Sequence, residues 1–163
     1  MRLSPWWRKA VLTTHVVTAV GWLGTDAVLV AFGIAGMSGA DPAVIYPALG
    51  LVGQWLFVPF SILVWLVGVF NAWATPWGLL RYWWVVVKLV ITTVMSLLVL
   101  FALRPRLLAA LHEGAALPDR DRLDLLIAPV VSTVLLVTAT VLSTYKPWGR
   151  LRTTRSLPRS PRA

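Results

Sequence analysis

The sequence predicts an all-α membrane protein built as a four-helix transmembrane bundle. Three observations carry this. Hydrophobic residues make up 58% of the chain, above the ~45–50% of a soluble domain. Charged residues make up only 13%, about half the usual ~25%. The apolar residues also gather into four runs, at 10–36, 50–73, 82–103 and 125–145, each near the ~20 residues that cross a bilayer. With 163 residues in total, residues 1–145 form one membrane domain and leave little room for another.

The first run follows the basic segment "MRLSPWWRKA". It is longer than the ~7–15 apolar residues of a signal peptide, so it is expected to be an uncleaved first span. "MSGADPAVIYP", "ATPWGLLR" and "RPRLLAALHEGAALPDRDR" separate the spans. Each contains proline and glycine and is expected to be a connection. Residues 146–163, "KPWGRLRTTRSLPRSPRA", are basic and have no apolar face, so a disordered tail is expected. Arg150, Arg152, Arg155, Arg159 and Arg162 are expected to lie on anionic lipid, each contributing roughly 1 kcal/mol near the surface. Lipid suits the net charge of +9 better than nucleic acid does, and no nucleic-acid partner is expected. The chain has no cysteine, which excludes disulfides, iron–sulfur clusters and thiol catalysis.

Arg2, Arg8, Lys9, Arg81, Lys146 and the five tail arginines fall on one side of an even-numbered bundle. Arg104, Arg106, Arg120 and Arg122 fall on the other, among Glu113, Asp119, Asp121 and Asp124. The positive-inside rule therefore expects both termini in the cytoplasm, with the four arginines as a counter-signal. Trp6, Trp7, Trp73, Trp77, Trp83, Trp84 and Trp148 collect near the inner boundary, the level that indole prefers. "PWGLLR" after span two and "PWGRLR" after span four, with Pro59 and Pro129 in nearly matching places, suggest two similar helical hairpins. Any hairpin needs an interfacial tryptophan and a Pro-Gly stop, so a shared constraint explains this pattern more readily than a repeat.

Polar residues inside the spans are expensive and face the bundle interior. His15 and Asp26 lie eleven residues apart on nearly one face, separated by roughly 16 Å along the axis. Thr18, Trp22 and Thr25 share that side. Ala27, Ala31 and Ala35 form a small-residue row suited to close packing. Span two carries Gln54, Ser61 and Asn71. Span three carries Lys88, Thr92 and Ser96. Span four carries Ser132, Thr133, Thr140 and Ser143. Counted by helical rise, His15 and Lys88 share a level roughly 8–10 Å from the inner boundary, while Asp26 is roughly 24 Å in, near Ser96. Asp26 and Lys88 are therefore not expected to pair directly. An ionised carboxylate at that depth has no base beside it, so a protonated Asp26 is expected.

Three readings stay open. His15 and Asp26 are structural, or Asp26, His15 and Lys88 form a proton- or cation-binding site, or His15 serves a redox centre. In the second reading the site is lined by Thr25, Gln54, Ser61, Thr92, Ser96, Ser132 and Thr133. Haem ligation within one chain needs a second membrane histidine, and His112 lies in the second external segment. No cofactor and no metal site are expected, and haem shared by His15 across a dimer is the residual alternative.

The stretches "TTHVVTAVGWLGTDAV" and "ATPWGLLRYWWVVVKLVIT", with the four-span length, resemble a family of uncharacterised bacterial four-span integral membrane proteins, defined only as a domain of unknown function. The resemblance covers most of residues 9 to 145. The first stretch also resembles, more loosely, the opening helix of copper-resistance and cytochrome b561-like membrane proteins, which carry more membrane histidines. The closer resemblance implies no activity. The expected location is the bacterial inner membrane. The expected role is proton- or cation-coupled transport of a small solute centred on Asp26. The alternative is a non-catalytic accessory subunit, in a homodimer or beside a membrane partner. No enzyme constellation is visible.

Overall fold

The computed structural model describes residues 4–74 and 82–145. They form an all-α bundle in which four helical courses are long and apolar enough to cross a membrane. The shortest course has 27 residues, or about 40 Å of helix against a hydrocarbon core of ~30 Å. The basic tail, Arg2, Arg81 and the segment "TPWGLLR", expected to be a connection, lie outside the described residues.

Helix α1 spans Pro5–Met37. Proline at its first position is favourable because the missing N–H would have been unpaired there. It ends where the Ala40 N–H reaches Ala35 O at 3.0 Å and Gly39 takes φ 95°, a left-handed conformation that a side chain resists. Helix α2, Pro42–Val52, begins directly afterwards. Its cap is Asp41, whose carboxylate accepts the Ala43 N–H at 2.9 Å. The expected connection "MSGADPAVIYP" therefore shrinks to a turn at 38–41. Asp-Pro is a helix start here, a side-chain cap followed by a first-turn proline.

The second and third courses each contain one widened, π-type turn. Gly53–Phe57 joins α2 to α3 (Val58–Ala74). Val99–Leu103 joins α4 (Trp83–Leu98) to α5 (Arg104–Glu113). The two turns share one pattern. The Val58 N–H bonds Gly53 O just before Pro59, and the Arg104 N–H bonds Val99 O just before Pro105. A proline ring clashes with the carbonyl four residues back, and the wider turn gives it room. The long segment after span three is thus mostly helix, closed by a short 3-10 turn at Gly114–Ala116.

Helix α6, Asp119–Tyr145, places Asp119 and Asp121 in its first turn, where the helix dipole favours negative charge. It stays α-helical through the buried Pro129. The expected match of Pro59 with Pro129 is therefore absent from the local geometry. The shared device links spans two and three instead.

Helix α1 is central and packs on α6, α3 and α2. Helix α2 packs on α5 at backbone distance: an added Cβ on Gly50 would lie 2.6 Å from both Leu107 O and Leu111 N. Trp65 Nε1 donates to Thr93 Oγ1 at 2.9 Å, tying α3 to α4. Trp22, Tyr46, Leu49, Phe57, Leu107 and Leu125 form the buried core. Val16, Val20, Leu66, Phe70, Val94 and Val134 face outward. That is the arrangement expected when the surrounding solvent is lipid.

Candidate functional site

Asp26 sits in the middle of α1 and is fully buried. Ser132 on α6 donates its hydroxyl to Asp26 Oδ2 at 2.8 Å. The other oxygen, Oδ1, is buried with no hydrogen-bond partner. One turn earlier, Trp22 Nε1 is buried and unpartnered as well. The Trp22 ring packs edge-on against Phe57 of the first π-turn, with centroids 6.0 Å apart. A half-satisfied carboxyl in a closely packed interior is costly, and it marks Asp26 as the most distinctive group in the bundle.

Of the hydroxyls expected around Asp26, only Ser132 reaches it. Thr25 donates to Trp22 O at 2.8 Å, Ser61 to Val58 O at 2.8 Å and Thr92 to Lys88 O at 2.9 Å. Each bonds a carbonyl of its own helix, a common alternative for a helical hydroxyl. Ser96 donates to Ser61 O at 3.3 Å and fastens α4 to α3. Gln54 lies in the first π-turn with Oε1 buried and unpartnered. Thr133 is half-buried beside Ser132.

His15 and Lys88 form a second, separate group. His15 is half-buried with Nδ1 unpartnered. It lies against Gly68 of α3, where an added Cβ would come within 3.2 Å of the imidazole Cε1. Lys88 is near enough to act electrostatically on the His15 ring. Its ammonium donates to Ser143 Oγ and sits 5.7 Å from the centroid of the Trp84 ring. It does not pair with Asp26, as the depth argument expected. His112 is exposed in the last turn of α5, at the other end of the bundle. Among the described residues no group of three or more His, Cys, Asp or Glu could hold a metal ion.

Sequence reasoning missed three parts of this neighbourhood. Gly68 cradles His15, yet a lone glycine in an apolar run carries no sign of which helix it faces. Phe57 is one apolar residue in an apolar run and carries no mark of its own. The third is a cavity of about 330 Å³ between the α4–α5 course and α6. Its inner wall includes Phe57, Met95 and Ser132, and its rim includes Arg106 and Asp124. Arg106 Nε lies 3.1 Å from Asp121 Oδ1 and 3.0 Å from Asp124 Oδ2. Ser132 thus lines the cavity while bonding Asp26.

No protein-family model, no curated protein and no solved structure matches this chain.

Proposed function

We propose that the protein is a proton-coupled membrane transporter whose exchange group is Asp26, set in the bacterial inner membrane with both termini cytoplasmic. The observation that carries this reading is the state of the Asp26 carboxyl. It is fully buried, holds one hydrogen bond and leaves Oδ1 unpartnered. A carboxyl kept only for packing is expected to be fully bonded and sealed. Here its single partner, Ser132, lines an open cavity, which offers a route to the carboxyl. Intramembrane carboxyls commonly mark proton pathways. His15, on the same helix toward the basic end, is the next titratable group along α1 and serves as the relay inward.

Reconstituted vesicles enclosing a pH-sensitive dye test this under an imposed gradient. The parent protein is expected to carry a proton flux, and Asp26→Asn to reduce it to the rate of protein-free vesicles. His112→Ala, far from the site, is expected to keep it. A parent protein with no flux under any gradient would leave Asp26 as a packing residue.

A second reading, an accessory subunit, draws on one observation. Ala27 and Ala31 are exposed and Ala35 is half-buried, so this row turns away from the bundle interior. Small residues there permit close approach of another helix. Co-purification with a stoichiometric membrane partner would favour this reading.

A further inference from the structure

The geometry points to a monocationic amphiphile as the ligand of the cavity between α4–α5 and α6, its apolar body in the cleft and its cation at the Phe57–Ser132 end. This inference rests on the transport reading and names its substrate class.

The wall chemistry comes first. Between rim and floor the cavity is lined by apolar side chains, among them Leu98, Val99, Ile127 and Leu135. A sugar or an amino acid would place several polar groups there without partners, and burying an unpartnered polar group is costly. The volume of about 330 Å³ lies at the small end of the ~300–1,000 Å³ range of ligand pockets. The cavity is open to the outside of the bundle, and Leu98, Ile127 and Val131 on its walls are exposed apolar residues. Its mouth therefore faces the lipid layer, from which an amphiphile arrives already partitioned.

Charge selects the sign of the head group. At the rim, the one base Arg106 is shared by two carboxylates, Asp121 and Asp124. Among the lining residues Arg106 and Asp124 cancel, so the rim offers an anionic head group no unpaired base. At the floor, Ser132 connects the cavity to the Asp26 carboxyl. Phe57 offers an aromatic ring, which attracts a cation, and Met95 offers an adaptable thioether. Lys88 of span three is engaged with Ser143 and not with Asp26.

Exchange then balances without a further group. Protonated Asp26 is neutral. When the cation enters, the Asp26 proton leaves by way of Ser132 and the polar Arg106–Asp124 rim to water at that end of the bundle, and carboxylate and cation together are neutral again. One proton is traded for one organic cation, and the site never holds an uncompensated charge.

The test uses the full chain in nanodiscs of zwitterionic phosphatidylcholine, with a diazirine-bearing dodecyltrimethylammonium as the photolabel. Label is expected on the segments 95–106 and 124–135. Unlabelled dodecyltrimethylammonium is expected to compete about tenfold or more better than dodecyl sulfate, since a like-charge contact costs more than the ~1.4 kcal/mol that a factor of ten represents. Ala128→Trp and Ala102→Trp, which fill the cleft from opposite walls, are each expected to lower cleft labelling by about the same factor. Equal competition by dodecyl sulfate in the parent protein would overturn the inference, even if neither variant folds. So would label confined to residues outside the two segments and Phe57, or label unchanged in a folded variant. Cleft labelling with no proton flux would sink the transport reading alone, and Asp26-dependent flux with no cleft labelling would sink this inference alone.

Discussion

At the scale of single residues, the glycines separate into those that touch another backbone and those that do not. Gly50 of α2 meets the backbone of α5 at Leu107 and Leu111. A methyl group there cannot be accommodated by turning a side chain, so the two helices must move apart. Gly50→Ala is expected to destabilise the bundle by about 1–3 kcal/mol or more. Gly24 of α1 has nothing within 4 Å of its added Cβ, so Gly24→Ala gains helix propensity, up to about 1 kcal/mol. Thermal unfolding of both variants in detergent checks the opposite signs. A Gly50→Ala protein as stable as the parent would mean that α2 and α5 do not pack at backbone distance. Asp26 was legible at this scale because a carboxyl among apolar neighbours stands out in any helix. Its partner was only half legible. Ser132 belonged to the polar stripe of span four, as did Ser143, but a hydroxyl on a helix bonds its own carbonyls as readily as another helix. Only the rotation of α6 against α1 picks out Ser132.

At the scale of elements, the π-turns explain how two prolines sit inside membrane helices without a break. Each turn holds one residue more than the α-turn it replaces. Deleting one residue within it is therefore expected to restore α-geometry and leave both flanking helices on their present faces. Leu56, exposed in the first π-turn, is the residue to remove. Deleting Leu63, an exposed residue of α3, has no such slack and rotates the following helix by about 100°. Monodisperse protein from the Leu56 deletion and aggregated protein from the Leu63 deletion are the expected result, read by size-exclusion chromatography. Equal damage from both would contradict the role of the turn. The sequence carried a faint sign of the first of these turns in Pro59 within the second apolar run, whereas Pro105 lies just beyond the third and Pro129 marks no such turn. The runs themselves gave no reason to extend helices to Pro42 or Glu113, because their outer ends are shorter in apolar residues and end in charge. Capping by Asp41 and packing of α2 on α5 hold them helical.

At the scale of the whole molecule, the proposed orientation places the α1–α2 turn outside and the tail inside. The chain contains no cysteine, so a single introduced one reports without background. Ser38→Cys, exposed at the turn after α1, is expected to react with an impermeant maleimide added to intact cells. Ser156→Cys, outside the described residues, is expected to react only after lysis. Labelling of Ser156→Cys from outside would reverse the orientation, and with it the direction in which Asp26 and His15 hand a proton.

Run length and charge alone already mark four helices long and apolar enough to cross a membrane, with Asp26, His15 and Lys88 as their costly polar groups. These are sums of local terms: apolar run length, the absence of charge, and backbone groups that lipid forces to pair within each segment. The tertiary structure decided the rest. It chose Ser132 over Thr25, Ser61, Thr92 and Ser96 as the partner of Asp26, set Gly68 against His15, turned Ala27 and Ala31 outward and opened a cleft between α4–α5 and α6. Each of these depends on how one helix is rotated and spaced against another. Side chains from distant segments fix that angle jointly, and no single segment of the sequence records it.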